Sequence, residues 1–258
     1  MSDWQPNLYM AFAKERTQPS IDLAQRIGLA NPGRVIDIGC GPGNSTQVLG
    51  AKWPGAEIVG LDASEAMLAE ARARYPDGVW ICADACGDLS ALGRFDAVFS
   101  NAAIQWMPSQ ETLLPKLFGM LNEGGILAVQ VPCTRDMPSH AALQALEASP
   151  PWRGRFSDMS AAHMSSPPAF YYDILSALPA EIDLWSTDYY HVMGSHADIV
   201  KWSSSTMLRP YFDCLPDETL REEFLQAYER ALSEVYPIQP DGKVLFPFTR
   251  IFFTAKKI

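Results

Sequence analysis

One stretch decides the fold of this chain: Arg34-Val35-Ile36-Asp37-Ile38-Gly39-Cys40-Gly41-Pro42-Gly43-Asn44-Ser45-Thr46. A run rich in β-branched residues leads into three glycines at alternate positions, and three polar residues that can cap a helix follow. The pattern predicts a strand, a tight turn and then a helix. Glycine adopts positive φ and lets a ligand approach the backbone closely, and a helix N-terminus favours anionic groups. We therefore expect a nucleotide-like ligand at this loop.

The order of residues within the loop narrows the class of ligand. A dinucleotide-binding loop would have glycine where this chain has Asn44, and the lysine of a P-loop is missing. The remaining pattern, Asp-x-Gly-x-Gly-x-Gly, resembles the cofactor loop of Rossmann-like S-adenosylmethionine-dependent methyltransferases. This resemblance implies S-adenosyl-L-methionine as the cofactor and S-adenosyl-L-homocysteine as its product.

A second acid lies at the distance that this interpretation requires. Residues 57–62 are predicted to form the next strand, which ends at Asp62. A carboxylate that binds the ribose hydroxyls is expected about 20 positions after the first glycine of the loop, and Asp62 fits. The alternative is that Asp62 caps the helix predicted over residues 64–74. We favour ribose binding because the glycine loop precedes it.

Further strands extend the pattern over residues 79–85, 95–101 and 126–131. Strands that alternate with helices through short connections predict a parallel sheet, and ligands bind such sheets beyond the carboxyl ends of the strands. Asp84 is expected to accept a hydrogen bond from the adenine amino group, and Met67 is expected either to face the adenine or to pack in the core. The candidate cofactor-binding residues are Gly39, Gly41, Gly43, Asn44, Asp62, Ala63, Met67, Asp84, Ala85 and Asn101.

The regular alternation ends at Pro132. Residues 132–180 are rich in proline and too long for a simple connection, which predicts a helical cap inserted after the fifth strand. Residues 184–193 and 246–255 are predicted as strands, with a helical elaboration at about 195–240 between them. The chain is therefore predicted to be a single α/β domain, residues 1–258, with a Rossmann-like methyltransferase fold. This fold implies a mostly parallel seven-stranded sheet with the last strand antiparallel.

Composition limits the partners that we expect. The formal net charge of −10 argues against a nucleic-acid partner, which usually requires a basic face. No apolar run is long enough to span a membrane, and the first residues lack the pattern of a signal peptide, so we expect a cytoplasmic protein. Five cysteines without a Cys-x-x-Cys pair give no reason to predict a metal site. The oligomeric state stays open.

Five segments along the chain carry a closer resemblance: residues 4–16, residues 37–46, Asn101-Ala102-Ala103-Ile104-Gln105-Trp106, Pro138-Ser139-His140 and Leu245-Phe246-Pro247-Phe248-Thr249-Arg250. Together they resemble one family, the trans-aconitate 2-methyltransferases. The resemblance implies transfer of a methyl group to a carboxylate of trans-aconitate, which gives a monomethyl ester.

A carboxylate acceptor changes what the chain must supply. Its solution pKa is about 4, so it is ionised at pH 7 and needs no general base. We therefore predict no catalytic acid or base, only cationic and hydrogen-bonding groups for a small polycarboxylate. The candidates, each of which has a structural or solvated alternative role, are Arg16, Trp106, His140, Arg155, Tyr171, Tyr172, Arg209 and Tyr211. Tyr9 and Phe12 are predicted to form a flap over the cofactor or to pack at the edge of the sheet.

Two other classes of function remain open at this point. The acceptor is either trans-aconitate or another substrate, such as a different small acid, an acyl-carrier substrate, an amine or a phenol. A non-catalytic regulator that binds S-adenosylmethionine is the other class. Turnover of labelled cofactor against a panel of acceptors distinguishes these functions.

Overall fold

The computed structural model describes residues 13–156 and 166–258 of the chain, and these form two compact units. The unit that we call the sheet unit comprises residues 13–132, 166–187 and 250–258. The helical unit comprises residues 133–156 and 188–249. Tyr9 and Phe12, the predicted flap, lie outside the described residues. The predicted single domain, with its cap and helical elaboration, stays a prediction.

The described residues contain one mixed sheet with strand order β3-β2-β1-β4-β5-β7-β6. The strands are β1 (Arg34–Ile38), β2 (Glu57–Asp62), β3 (Val79–Cys82), β4 (Phe95–Asn101), β5 (Leu121–Pro132), β6 (Ala180–Met193) and β7 (Val244–Lys257). Strands β1 to β5 are parallel, and β7 runs antiparallel to β5. The predicted seven-stranded sheet with an antiparallel last strand is confirmed.

Helices connect these strands. They are α1 (Ala13–Arg26), α2 (Asn44–Lys52), α3 (Glu65–Arg74), α4 (Gln110–Gly119), α5 (Pro138–Ala148), α6 (Pro168–Ser176), α7 (His196–Ser204), α8 (Arg209–Cys214) and α9 (Glu218–Val235). In the central strands β1, β4 and β5, consecutive residues are buried, as in a parallel sheet that is covered on both faces.

Two boundaries differ from what the local sequence favours. Proline favours the first turn of a helix, but Pro19 lies inside α1, where the buried residues Leu23 and Ala24 help to fix the helix against its neighbours. The sequence from Leu113 to Leu121 favours a helix that ends before the Asn122-Glu123-Gly124-Gly125 turn signal, but Leu121 begins β5, because it pairs with Phe95 across an irregularity in the register. Helix packing at the first place and strand pairing at the second outweigh the local propensity.

The helical unit has its own aromatic core. One face of α9 buries Phe224, Tyr228 and Leu232, which lie four residues apart and so share a side of the helix. This face contacts α5 and α7. The ring of Trp152 packs edge-on against Phe224, with 5.1 Å between the centroids. The amphipathic packing of α9 therefore organises this unit.

No helix in the described part of the chain is long and apolar enough to cross a membrane.

Candidate functional site

The three glycines of the loop after β1 have different physical roles. All adopt positive φ: 71° at Gly39, 55° at Gly41 and 90° at Gly43. A Cβ on Gly39 would lie 2.2 Å from the Cβ of Ala103, so this position allows no side chain. A Cβ on Gly41 would meet no atom of the chain within 4 Å. Gly41 is therefore the position at which a ligand can approach the backbone.

The ring of Trp80, half-buried at β3, packs against three glycines. A Cβ would lie 2.7 Å from this ring at Gly43, 2.5 Å at Gly60 and 2.6 Å at Gly78. The indole nitrogen donates to the carbonyl of Tyr75 at 3.1 Å, which fixes the ring. The last glycine of the loop is thus required both for its positive φ and to make room for Trp80.

The polar residues after the loop do not cap α2, and this prediction is wrong. Gly43 occupies the N-cap position, and no side chain there accepts a capping hydrogen bond. The hydroxyl groups of Ser45 and Thr46 donate to Oδ2 of Asp37 at 2.6 and 2.7 Å. A buried carboxylate is a stronger acceptor for these hydroxyls than the helix end can offer, so they bind β1 to α2.

Asp37 is a fully buried acid at the base of the loop. Burial raises its pKa from 3.8 to about 6; the hydroxyls of Ser45 and Thr46 oppose this shift, and the charge of Asp62 adds to it. Its Oδ1 atom has no hydrogen-bond partner among the residues that the structure describes. The carboxylate form of Asp37 is therefore costly to the folded state near neutral pH.

This cost predicts a pH dependence of stability that Asp37→Asn should remove. The folded-state pKa lies above the unfolded value, so the stabilising contribution is complete below about pH 4 and is lost as pH rises through 6. The loss amounts to about 3 kcal/mol. Between pH 4 and 7, the free energy of unfolding of wild type should fall by about that amount relative to Asp37→Asn, as measured by denaturant titration.

Asp96→Asn provides the matched control. Although burial opposes it, hydrogen bonds from Asn122 and from the backbone of Arg34 and Gly33 lower the pKa of Asp96. The pH trend of this variant relative to wild type should therefore have the opposite sign. Parallel stability curves for wild type and Asp37→Asn would contradict the assignment.

Asp62 joins the glycine loop to the start of α3. Its Oδ2 accepts from the backbone N–H of Gly41, and its Oδ1 from that of Ser64, each at 2.8 Å. The cap of α3 is Ser64, whose hydroxyl accepts from the N–H of Met67, so the alternative that Asp62 caps this helix is wrong. Met67 is 3% exposed and packs in the core. Ala63, next to Asp62, is exposed.

The turn after β3 presents Asp84 and Ala85. Asp84 is exposed, and its Oδ1 accepts from the N–H of Cys86 at 2.8 Å. The Nζ atom of Lys116, on α4, donates to the carbonyl of Ala85 at 2.9 Å and also to that of Gly87. Lys116 was not among the predicted site residues, because nothing in the sequence shows that α4 reaches this turn.

The fourth group of candidate cofactor residues lies at the carboxyl end of β4. Asn101 is the last residue of the strand, and its buried Oδ1 has no hydrogen-bond partner among the described residues. Ala102 follows with φ of 54°, and its carbonyl accepts from the side-chain amide of Gln105 at 2.7 Å. This sharp turn leaves Asn101 as a hydrogen-bond acceptor at the carboxyl end of β4.

Four of the candidate acceptor-binding residues lie in the sheet unit. Arg16, on α1, is 7% exposed. Trp106 is half-buried and ends a short 3-10 helix that follows β4. Tyr171 is fully buried and stacks on Phe253, with 5.2 Å between the ring centroids, whereas Tyr172 is 51% exposed. Tyr171 is therefore part of the packing of the sheet unit, whereas Tyr172 lies on its surface.

The other four lie in the helical unit. Burial lowers the pKa of His140 to about 4, so this histidine is neutral at pH 7 and provides a hydrogen bond without charge. Arg155 is exposed, and its Nε donates to the carbonyl of Pro151 at 3.2 Å. Arg209, half-buried, begins α8.

The fourth of these candidates already has a partner. The hydroxyl of Tyr211 donates to the carboxylate of Glu147, and burial together with that carboxylate raises the tyrosine pKa. Its ring stacks on Phe224, with 5.5 Å between the centroids. These contacts place Tyr211 in the packing of the helical unit.

The chain is similar to known methyltransferases in sequence and in fold. A family model described as a methyltransferase domain matches residues 35–125, the segment that holds the glycine loop and Asp62. A putative methyltransferase from Bacillus halodurans C-125 has a similar structure, with a TM-score of 0.64 and 14% identity over 93% of this chain and 99% of that one. This likeness supports the Rossmann-like fold predicted from the sequence.

Two curated relatives match from end to end. The trans-aconitate 2-methyltransferase of Methylobacterium radiotolerans is 45% identical over 260 residues, which cover 100% of this chain and 99% of the relative. The enzyme of the same name from Escherichia coli is 42% identical and is matched over 100% of both chains. At this identity over the full length, the chain belongs to the trans-aconitate 2-methyltransferase family.

Proposed function

We propose that this chain transfers a methyl group from S-adenosyl-L-methionine to one carboxylate of trans-aconitate, forming a monomethyl ester. The observation that carries the proposal is the arrangement of Gly41 and Asp62. The open face of Gly41 admits a ligand to the backbone, and the carboxylate that binds its N–H also holds the start of α3. The proposed reaction is the one for which the family is named.

The residues at this edge of the sheet fit the proposed cofactor. Asp62 is suited to the ribose hydroxyls, because each carboxylate oxygen can accept more than one hydrogen bond. Asp84 and Ala85 suit the adenine, and the unsatisfied Oδ1 of Asn101 suits the ammonium of the amino-acid part. When bound, the cofactor supplies a methyl group activated by a positively charged sulfur. The backbone of Gly39, Gly43 and Asn44 shapes the loop around it.

The task of the chain is then to bind and orient a trianion. Because the acceptor carboxylate is already ionised, no residue has to remove a proton. Correct orientation alone contributes about 7–11 kcal/mol to such a reaction. In a chain with a net charge of −10, the acceptor requires a local concentration of positive charge.

We assign the acceptor-binding roles by burial and charge. Arg16 is the strongest candidate, because its guanidinium is held in a buried position where a carboxylate would be strongly bound. His140 contributes as a neutral hydrogen-bonding group. Arg155 and Arg209 remain candidate cations, with Trp106 and Tyr172 as candidate walls. Tyr171 and Tyr211 have lower priority because the ring of the first stacks on Phe253 and the hydroxyl of the second binds Glu147.

The pH dependence of a single turnover tests the carboxylate assignment. With saturating cofactor and trans-aconitate, the rate constant for methyl transfer should stay nearly flat from about pH 6.5 to 9. The acceptor carboxylates, His140 and Asp37 titrate below this window and arginine above it. A rate that rises tenfold per pH unit would show that a proton must leave before methyl transfer, which would contradict an acceptor group that is already ionised.

Lys116→Met tests the role of the turn after β3. The lysine holds the two carbonyls of the turn that presents Asp84 and Ala85, so its loss should loosen the adenine end of the site. We expect the KM for S-adenosylmethionine to rise about tenfold with kcat nearly unchanged, which is the pattern for lost uniform binding. Lys116→Arg should restore part of the affinity. A fall in kcat with an unchanged KM would refute this role.

A further inference from the structure

A buried polar pair lies at the carboxyl end of β5, in the sheet unit, beside the proposed cofactor site. Nη1 of Arg250, on β7, donates to Oε1 of Gln130, on β5, at 3.2 Å. Gln130 is 0% and Arg250 4% exposed. None of the roles assigned above involves either residue.

The hydrogen bond fixes which end of the Gln130 amide remains available. A guanidinium only donates, so the amide oxygen must face Arg250. The Nε2 group of Gln130, a donor, is then left buried with no partner among the residues that the structure describes. An unsatisfied buried donor next to a guanidinium favours one kind of ligand, a group that accepts hydrogen bonds and carries negative charge.

The register of the sheet places this pair relative to the cofactor residues. Gln130 lies opposite Asn101 of β4, and Arg250 lies opposite Pro132, two residues further along β5. The carbonyl of Gln130 accepts from the N–H of Ala102 at 2.9 Å, so the backbone at this point is fixed to the turn after β4.

The strand order shows that the candidate cofactor residues and the pair Gln130–Arg250 lie on different strands of the sheet. Along the carboxyl edge, the adenine acid follows β3, the ribose acid ends β2, the glycine loop follows β1, and Asn101 ends β4. The cofactor is thus laid out from β3 to β4. The next strands along the same edge are β5 and β7, roughly 5 and 10 Å beyond β4. A group bound there would lie beyond the residues that are assigned to the cofactor.

We propose that Gln130 and Arg250 bind a carboxylate of the acceptor that does not itself react. The inference rests on the proposed function and names the groups that select a polycarboxylate. One carboxylate is held by the amide and guanidinium donors, and a different carboxylate is thereby directed to the methyl group. The pair sets specificity and takes no part in bond making.

Gln130→Glu tests this role with almost no change in side-chain shape. The new carboxylate forms an ion pair with Arg250 and repels the acceptor, so kcat/KM for trans-aconitate should fall at least about thirtyfold, mainly through KM. The affinity for S-adenosyl-L-homocysteine, measured by calorimetry, should stay within about twofold. An equal loss of that affinity would move the pair to the carboxylate of the cofactor and overturn the proposal.

Acceptors with one carboxylate fewer sharpen the test. Mesaconate, cis-glutaconate and itaconate each lack a different one of the three carboxylates of trans-aconitate. For the analogue that lacks the group bound by the pair, Gln130→Glu should cost less than about threefold. The same loss with trans-aconitate and with every analogue that is methylated would refute the proposal. If wild type itself methylates no trans-aconitate, the proposed function fails rather than this inference.

Two further variants distinguish a loss of acceptor binding from a change in folding. Arg250→Lys keeps the charge but loses the planar fork, so it should weaken acceptor use about tenfold with a retained thermal transition. Arg26→Gln is the matched control: Arg26 is an exposed arginine paired with Asp183, and its loss should change kcat/KM less than twofold. A wild-type kcat/KM in a folded Arg250→Lys, together with no effect of Gln130→Glu, would overturn the assignment.

Discussion

Gly41→Val should lower the affinity for S-adenosyl-L-homocysteine by more than about a thousandfold, from a dissociation constant near micromolar to one that calorimetry does not detect. Two effects act in the same direction. The backbone φ of 55° is unfavourable for a β-branched residue. The valine side chain would also occupy the space, empty of chain atoms to 4 Å, in which the proposed cofactor meets the loop. Gly41→Ala should give an intermediate loss.

Gly124→Val separates these two effects. Gly124 has a similar φ of 73°, and a Cβ there would likewise meet no atom within 4 Å. It lies near the amino end of β5, however, whereas the proposed cofactor site lies at the carboxyl ends of the strands. The variant should therefore lose stability by a comparable amount and keep its cofactor affinity. If both variants bound S-adenosylhomocysteine as wild type does, the loop would not be the cofactor site.

Asp62→Asn should weaken S-adenosylhomocysteine about a hundredfold or more, almost as much as Asp62→Ala. The reason is geometric. Both carboxylate oxygens accept a backbone N–H, one from Gly41 and one from Ser64, so an amide NH₂ would place two donors against each other on one side. The loop or the start of α3 must then move, and the charge-assisted bonds proposed for the ribose hydroxyls are lost as well.

Ser64→Ala is the control for this prediction. It removes the cap of α3 without touching the carboxylate, so it should cost about 1 kcal/mol of stability and leave cofactor affinity within about twofold. Titration of both variants with S-adenosylhomocysteine provides the comparison. Near-wild-type affinity in Asp62→Asn would show that the ribose is bound elsewhere.

The sequence predicted the parts of this molecule that depend on local pattern. The glycine loop and Asp62 were recognisable because their residue types and spacing follow from backbone conformation and the chemistry of the ligand. Strands β2 and β4 have the predicted bounds, since each combines a clear hydrophobic pattern with flanking turn signals. The mostly parallel seven-stranded sheet with an antiparallel last strand followed from the resemblance to a known fold.

Contacts between residues far apart in sequence could not be predicted in this way. Lys116 reaches a turn about thirty positions earlier, and Arg250 reaches back more than a hundred positions to Gln130. Their residue types are also common at surfaces, so neither gave a signal. The prediction that Ser45 and Thr46 cap a helix was wrong for a related reason. Their ability to cap is a local property, but the carboxylate to which they donate, that of Asp37, lies on the other side of the loop.

The indole of Trp80 makes positions 43, 60 and 78 interdependent in evolution. At each of these glycines, an added Cβ would overlap this same side chain. Gly60, for which no positive φ adds a second constraint, is the clearest case. Gly60→Ala meets a steric barrier as long as the tryptophan is present; with a smaller residue at position 80, the Sγ atom of Cys40, 3.0 Å from the added Cβ, is the close contact that is left. A side chain at any of these three positions therefore requires that Trp80 is first replaced by a smaller residue.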